Sequence, residues 1–178
     1  MATSFKYFKE NIRDYLEKNF DRDSKVLDVG CGEGTYYELL HDYFKNIDGV
    51  EIFRPNIDNY ELESKYNNVY NVDIRDFKYE YYDIIIFGDI IEHLKIEEAQ
   101  KVLKYALERC KEVIVAVPYC YKQGIEYDNV YEIHKQDDLT PVNVLERYPE
   151  LELLYGNNEY GYYIRRKEEN NVSDNDKN

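Results

Sequence analysis

Apolar side chains recur at helical spacing over residues 3–20, where Phe5, Phe8, Ile12, Tyr15 and Leu16 share one face and Thr3 or Ser4 stands ready to cap the helix. Asp21 to Ser24 read as a turn, and "KVLDVG" follows as a short buried strand. Tyr36, Leu39, Leu40, Tyr43 and Phe44 predict a helix from Thr35 to Phe44. "NIDGVEI" is a second strand, and "RPNIDNYELESKY" a helix that tolerates Pro55 in its first turn. "NVYNVDI" reads as a third strand and "YYDIIIFGD" as the most apolar strand of the chain. In "IEEAQKVLKYALERC" the residues Ile96, Ala99, Val102, Leu103, Ala106 and Leu107 make one helical face, and "KEVIVAVP" is a fifth strand that Pro118 stops.

Apolar strands alternating with amphipathic helices imply a parallel sheet covered on both faces. The pattern then changes: "LTPVNVLERYP" suggests a short helix, and "LELLYGNNEYGYYIRR" reads as two strands joined by Gly-Asn-Asn, an antiparallel hairpin. The expected class is therefore α/β: a doubly wound, mostly parallel, seven-stranded sheet with a C-terminal antiparallel hairpin. Residues 1–166 read as one domain, with the N-terminal helix at 3–20 and the core at 24–166. The polar, Asn- and Asp-rich segment 167–178 reads as a disordered tail.

Composition narrows the partners. An apolar fraction of 43% suits a folded core. A net charge of −14 argues against a stable grip on nucleic acid and against anionic membrane surfaces. No stretch approaches the roughly 18–20 apolar residues of a membrane span. "MATSFKYFKENIRDYLEKNF" lacks the continuous apolar core of a secretory signal. Cys31, Cys110 and Cys120 show no C-x-x-C spacing, so a disulfide framework is not expected and a reducing cytoplasm is the simplest location. The 21 tyrosines and the lack of tryptophan read more as genome base composition than as function.

The chemistry centres on "KVLDVGCGEGTYYELL". A glycine turn after the first strand lies where open α/β sheets bind ligands, outside the strand carboxyl ends. A dinucleotide fingerprint needs its third glycine at position 35, which is Thr35; here the glycines are Gly30, Gly32 and Gly34. There is no phosphate-binding G-x-x-x-x-G-K-S/T loop, and Asp28 just before the glycines makes a phosphate a poor guest.

The D-x-G-x-G-x-G pattern of "LDVGCGEG" resembles the glycine motif of class I S-adenosylmethionine-dependent methyltransferases, whose fold is Rossmann-like. The resemblance covers roughly residues 20–120. It implies that Asp28, Gly30, Cys31, Gly32, Gly34 and Tyr36 surround the cationic methionine part of S-adenosyl-L-methionine. It implies that Glu51, with Ile52 beside it, holds the ribose hydroxyls, as a carboxylate with two acceptor oxygens can. It implies that Asp73 and Ile74 meet the adenine. "YDIIIFGDIIEHL" resembles the family's strand and loop below the reacting methyl, where Gly88 gives backbone room and Asp89 lies close.

The methyl carbon is already activated by positive sulfur, so the protein's work is alignment and, for a hydroxyl acceptor, removal of a proton. If the segment from Asp89 turns helical, Asp89, Glu92 and His93 share a face. Two readings stay open: His93 is a general base oriented by a carboxylate, or Asp89 caps the helix and His93 fills a half-buried site. A divalent ion on Asp89, Glu92 or His93 is the minor alternative, and no metal site is assigned. The connection "PYCYKQGIEYDNVYEIHKQDDLTP" is long enough to suggest an acceptor lid carrying Tyr119, Tyr121, Tyr127, Tyr131, Glu132 and His134. Within it, "DNVYEIHKQDDLT" resembles the N-x-Y-E-x-H segment of small methyltransferases of glycan and nucleotide-sugar pathways, which implies that His134 reaches the active site as a second candidate base.

The expected function is methyl transfer from S-adenosyl-L-methionine to a small-molecule hydroxyl, most plausibly of a sugar or glycan. N- or carboxyl-methylation of another metabolite or a protein is the alternative within enzymes, and a non-catalytic cofactor-fold subunit of a larger assembly the alternative outside them. A homodimer sharing its active site is compatible with either.

Overall fold

The computed structural model describes residues 5–126 and 128–165. The cap at Thr3 or Ser4, the lid residue Tyr127 and the tail 167–178 lie outside the described residues. Among the described residues, the β-branched runs form β1 (Lys25–Val29), β2 (Asn46–Val50), β3 (Val69–Tyr70), β4 (Tyr82–Gly88), β5 (Cys110–Pro118), β6 (Leu151–Gly156) and β7 (Tyr160–Arg165). They build one sheet in the order β3-β2-β1-β4-β5-β7-β6. The neighbours from β3 to β5 are parallel, and β7 enters antiparallel between β5 and β6. This matches the expected class, hairpin included.

Alternation along the strands explains the two layers. Val26, Ile84, Ile86, Ile114 and Ala116 point to one face, where α1 (Lys9–Asn19), α2 (Thr35–Leu40), α3 (Arg54–Asn59) and α4 (Leu62–Lys65) bring Ile12, Leu16, Leu40, Ile57 and Leu62. Leu27, Val29, Ile85, Phe87, Val113 and Val115 point to the other, under α5 (Ile96–Leu107) and α6 (Pro141–Arg147). From α5, Ala99, Val102, Leu103 and Ala106 are buried, which is the periodic face seen in the sequence. Each larger aliphatic side chain so buried contributes about 1.5–3 kcal/mol.

Four boundaries differ from the pattern: α2, expected to run to Phe44, ends at Leu40. The N-terminal helix expected at 3–20 begins at Lys9, because Phe8 takes a left-handed backbone (φ 57°) and ends the helical path. Phe5 instead packs its ring 5.4 Å from that of Tyr160. The helix expected over residues 54–66 divides into α3 and α4 around Glu61, also left-handed at φ 51°. The third strand keeps only Val69 and Tyr70 in the ladder.

The sheet order reverses between β1 and β4. A crevice opens outside their carboxyl ends at that switch point, and the loops after β1, β2, β4 and β5 all reach it.

Candidate functional site

The loop after β1 is possible only because of its glycines. Gly30, Gly32 and Gly34 all have left-handed φ, of 66°, 52° and 86°. At Gly30 a Cβ would lie 1.9 Å from Ile90 Cδ1, so the loop sits hard against the segment that follows β4. The loop is also hooked onto the end of β2: the N–H groups of Gly30 and Cys31 donate to Val50 O at 2.7 and 3.1 Å.

Glu51 completes this hook. Its Oε2 accepts from Gly32 N–H at 2.9 Å and its Oε1 from Phe53 N–H at 2.7 Å. Only 5% exposed, it has its carboxyl pKa raised by burial. Ile52, Asp73 and Ile74 line the same end of the crevice, with Cys31 and Gly32 opposite. Asp73 is clamped by Arg75, which donates through Nε and Nη2, while Arg75 Nη1 reaches Glu98 at 2.8 Å. The hydrogen bonds from Arg75 hold the Asp73 carboxyl below its usual range. The backbone N–H of Arg75 also donates to Asp73 Oδ1, at 2.9 Å.

Two residues of the motif lie elsewhere. Asp28 does not line the crevice: strand alternation turns it to the opposite face, where Tyr66 OH donates to its Oδ2 at 2.6 Å and Oδ1 has no hydrogen-bond partner. Burial pushes its pKa up to about 7. Gly34 caps α2 and packs toward Leu62, away from the crevice wall. At Gly88 the room is taken by protein: a Cβ there would lie 2.1 Å from the Tyr36 ring, whose hydroxyl pairs with Tyr162 OH at 3.0 Å. Lys9 Nζ stands 4.0 Å above the centre of that same ring, and burial lowers its pKa to about 8 against the pull of Asp89 and Asp28.

The other end of the crevice is built after β4. Asp89 is left-handed (φ 57°); its N–H donates to Ala116 O at 3.0 Å and its Oδ1 accepts from Tyr160 OH at 2.7 Å. The next residues form a single 3-10 turn, Ile91–His93, not the helix that would stack Asp89, Glu92 and His93 on one face. The turn does something different. It directs Glu92 and His93 toward His134, and one ligating atom from each of these three residues lies within 4.8 Å of the others. The His93 and His134 rings meet edge to face with centroids 4.7 Å apart.

His134 is held by backbone. Its N–H donates to Gln123 O, and its Nδ1 lies 2.7 Å from Tyr121 O. The N–H groups of Lys135 and Gln136 donate to Glu92 O at 2.8 and 3.1 Å, and Gln136 Nε2 donates to Ile91 O and Leu94 O. The lid is thereby stitched to the turn. Burial lowers the pKa of both imidazoles, that of His93 to about 4. Glu92 is wholly buried, neither of its carboxylate oxygens has a hydrogen-bond partner, and burial raises its pKa well above the ordinary value.

The lid residues separate into two kinds. Tyr121 and Tyr131 line the crevice mouth and are 42% and 46% exposed. Tyr119 does not belong to the lid: it is buried, its hydroxyl 2.6 Å from that of Tyr163. Glu132 faces the crevice, fixed by Gln123 Nε2 and Asn129 Nδ2, with its pKa raised by burial to about 7. The N-x-Y-E-x-H string had signalled Glu132 as a lid residue; nothing in the pattern signalled Gln136 or Lys9.

Comparisons with known proteins bear on the family and the fold. A model of the methyltransferase-domain family matches residues 3–118. A ubiquinone biosynthesis O-methyltransferase of Pelagibacter ubique (strain HTCC1062) is 30% identical over 115 residues, 56% of this chain and 47% of the relative. The chain thus spans about half the length of that curated relative. Among solved structures, an S-adenosylmethionine-dependent methyltransferase from Clostridium acetobutylicum ATCC 824 superposes with a TM-score of 0.67 at 15% identity, covering 92% of each chain. A DhpI–SAH complex superposes at 0.70 and 13% identity, covering 88% of this chain and 80% of the other. At these identities the structural likenesses speak to the fold.

Proposed function

The chain belongs to the class I S-adenosylmethionine-dependent methyltransferases, and from that premise we propose that it moves the methyl group of S-adenosylmethionine onto a hydroxyl of a small acceptor, a sugar or glycan. One observation carries the reading: a single crevice at the switch point joins the glycine loop, Glu51 and Asp73 at one end to Glu92, His93, His134 and a tyrosine rim at the other. The first end suits a nucleoside with a cationic amino-acid tail. Glu51 takes the ribose hydroxyls, Asp73 and Ile74 the adenine, and the loop at Gly30–Gly32 the methionine part. The methyl group then points past Gly88 and Asp89 to the second end.

There the acceptor oxygen attacks the methyl carbon. A new O–CH3 bond forms, the pair of the broken S–CH3 bond returns to sulfur, and the hydroxyl proton passes to solvent. The positive sulfonium becomes neutral S-adenosylhomocysteine. Holding donor and acceptor in line supplies most of the acceleration. Tyr121 and Tyr131 at the mouth can lie against a sugar ring and hydrogen-bond its hydroxyls.

Calorimetry with S-adenosylmethionine and S-adenosylhomocysteine tests the first end, with saturable binding of both expected; failure of both to bind overturns the proposal. Product analysis over hydroxyl-bearing sugars against amine and carboxylate acceptors tests the second, and methylation of the latter alone removes the hydroxyl assignment.

A further inference from the structure

We propose that Glu92, His93 and His134 form a site for one divalent first-row metal ion that holds and activates the acceptor hydroxyl. The proposal rests on the methyl-transfer reading above, and it gives the two imidazoles a role other than that of a free general base. The ligand set is the first observation: three residues from two separate segments present one donor atom each within 4.8 Å of one another. Three donors at about 2.1 Å from one ion lie roughly 3.0–3.6 Å apart, so side-chain movements of the order of 1 Å close the set.

The second observation is Glu92. It is 0% exposed, and both carboxylate oxygens lack a hydrogen-bond partner. A buried polar group in this state calls for a missing partner. Protonation alone does not supply one, because the added O–H would itself need an acceptor. A cation satisfies both oxygens and offsets the cost of the buried charge.

The third is the way the rings are held. His134 Nδ1 is spent on Tyr121 O, which leaves Nε2 with its lone pair. The His93 ring lies edge to face against that of His134, and its Nδ1 has no hydrogen-bond partner. A ring with one nitrogen committed to a carbonyl and the other bare, as in His134, is the arrangement of a metal-ligating histidine. The hydrogen bonds from Lys135 and Gln136 to Glu92 O lock the two ligand segments together before any ion arrives.

Two imidazoles and a carboxylate select an imidazole-tolerant ion such as Mn, Fe, Co or Zn over Ca. Three protein ligands leave open positions for the acceptor oxygen and for an adjacent hydroxyl. A bound cation lowers the pKa of the oxygen it holds, so the hydroxyl proton is lost to solvent near neutral pH.

The test uses the full chain, stripped with a chelator and titrated with Co(II) at high ionic strength, which suppresses loose binding to the acidic surface. Dialysis and visible absorption read the metal, and calorimetry reads S-adenosylhomocysteine. The expected result is one Co(II) per chain with an absorption band that changes when a vicinal diol acceptor is added. His134→Ala, on the lid, should weaken Co(II) at least about tenfold, and Glu92→Gln similarly, with S-adenosylhomocysteine affinity within about twofold of the parent. No saturable uptake, or uptake equal in the parent and His134→Ala, overturns the metal site. S-adenosylhomocysteine binding without Co(II) binding sinks this inference and spares the methyltransferase reading, while Co(II) binding without S-adenosylhomocysteine does the reverse.

Discussion

The two ends of the crevice are made differently. At the end we assign to the cofactor, every group of that assignment sits on or next to a strand terminus. The glycine loop follows β1, Glu51 follows β2, and Asp73 follows β3 by three residues. Backbone hydrogen bonds to Val50 O and from Gly32 and Phe53 to Glu51 hold the loop, so the geometry is set within about twenty residues of chain. The end we assign to the acceptor draws Glu92 and His93 from a single turn and His134 from a loop 41 residues further along. Hydrogen bonds from Lys135 and Gln136 stitch the two segments together. The first end is a property of the sheet; the second is a property of a long-range contact.

The largest expected effect attacks the point where the ends touch. A Cβ at Gly30 meets Ile90, the residue before the turn that carries Glu92 and His93. Gly30→Ala should therefore damage both ends. A left-handed non-glycine residue costs about 1–2 kcal/mol and overpacking a further 1–3 kcal/mol. Affinity for S-adenosylhomocysteine, turnover and thermal midpoint should all fall. Gly30→Ala with Ile90→Ala should recover part of the overpacking loss, and strict additivity of the two substitutions in a double-mutant cycle would show that the ends are independent.

Next in size is a change confined to one end. Glu51→Gln sets an amide N–H2 against the N–H of Gly32 or Phe53 and removes the charge. Losing a hydrogen bond to a charged group costs about 1.5–3 kcal/mol, so cofactor affinity should drop about tenfold to a hundredfold. Binding of Co(II) at the other end should not change. Equal losses at both ends would erase the distinction drawn here.

Gln136→Ala is the mirror experiment. Gln136 is buried; its amide nitrogen serves Ile91 O and Leu94 O, and its oxygen accepts from Tyr148 OH and Arg147 Nη1. Its loss should cost about 1–3 kcal/mol of stability and loosen His134. Turnover should fall while cofactor affinity holds.

The same contrast explains what could be read from the sequence. Strand runs such as "YDIIIFG" and the periodic face of α5 are local patterns, and each became the element expected. Gly30, Gly32 and Gly34 announce a left-handed loop by residue type alone. Helix boundaries were less legible, because Phe8 and Glu61 take left-handed backbones that side chains of their type do not advertise. Asp28 was placed by motif at the crevice, whereas the period of two in β1 turns it away. Tyr119 and Tyr131 look alike in a tyrosine-rich loop; only the pairing of Tyr119 with Tyr163 on β7 puts the first in the core. The tyrosines credited to base composition also include Tyr36, Tyr160 and Tyr162, buried together beside Asp89. Gln136 carries no local signal, since the two carbonyls that its amide nitrogen serves lie more than forty residues away.

Asp28 supplies the smallest effect and the finest test of which residues belong to the cofactor end. It lies two residues before Gly30 and yet outside the crevice, so Asp28→Asn should leave S-adenosylhomocysteine affinity within about twofold, as expected for a group making no contact with the ligand. Its influence should appear in stability instead. Burial raises its folded-state pKa from the ordinary 3.8 to about 7. Between those values the folded chain holds a proton that the unfolded chain has released, so this group favours the fold at low pH. That contribution fades as pH rises through 7, with a slope of at most about 1.4 kcal/mol per pH unit. Asparagine removes the titration and keeps an oxygen for Tyr66 OH. Denaturant titrations at pH 5 and pH 8 should show the variant losing less stability than the parent across that interval. A parent whose stability difference over the interval equals that of Asp28→Asn would mean that Lys9 already compensates the buried charge, and Asp28 would then have to be counted with the ion-paired groups.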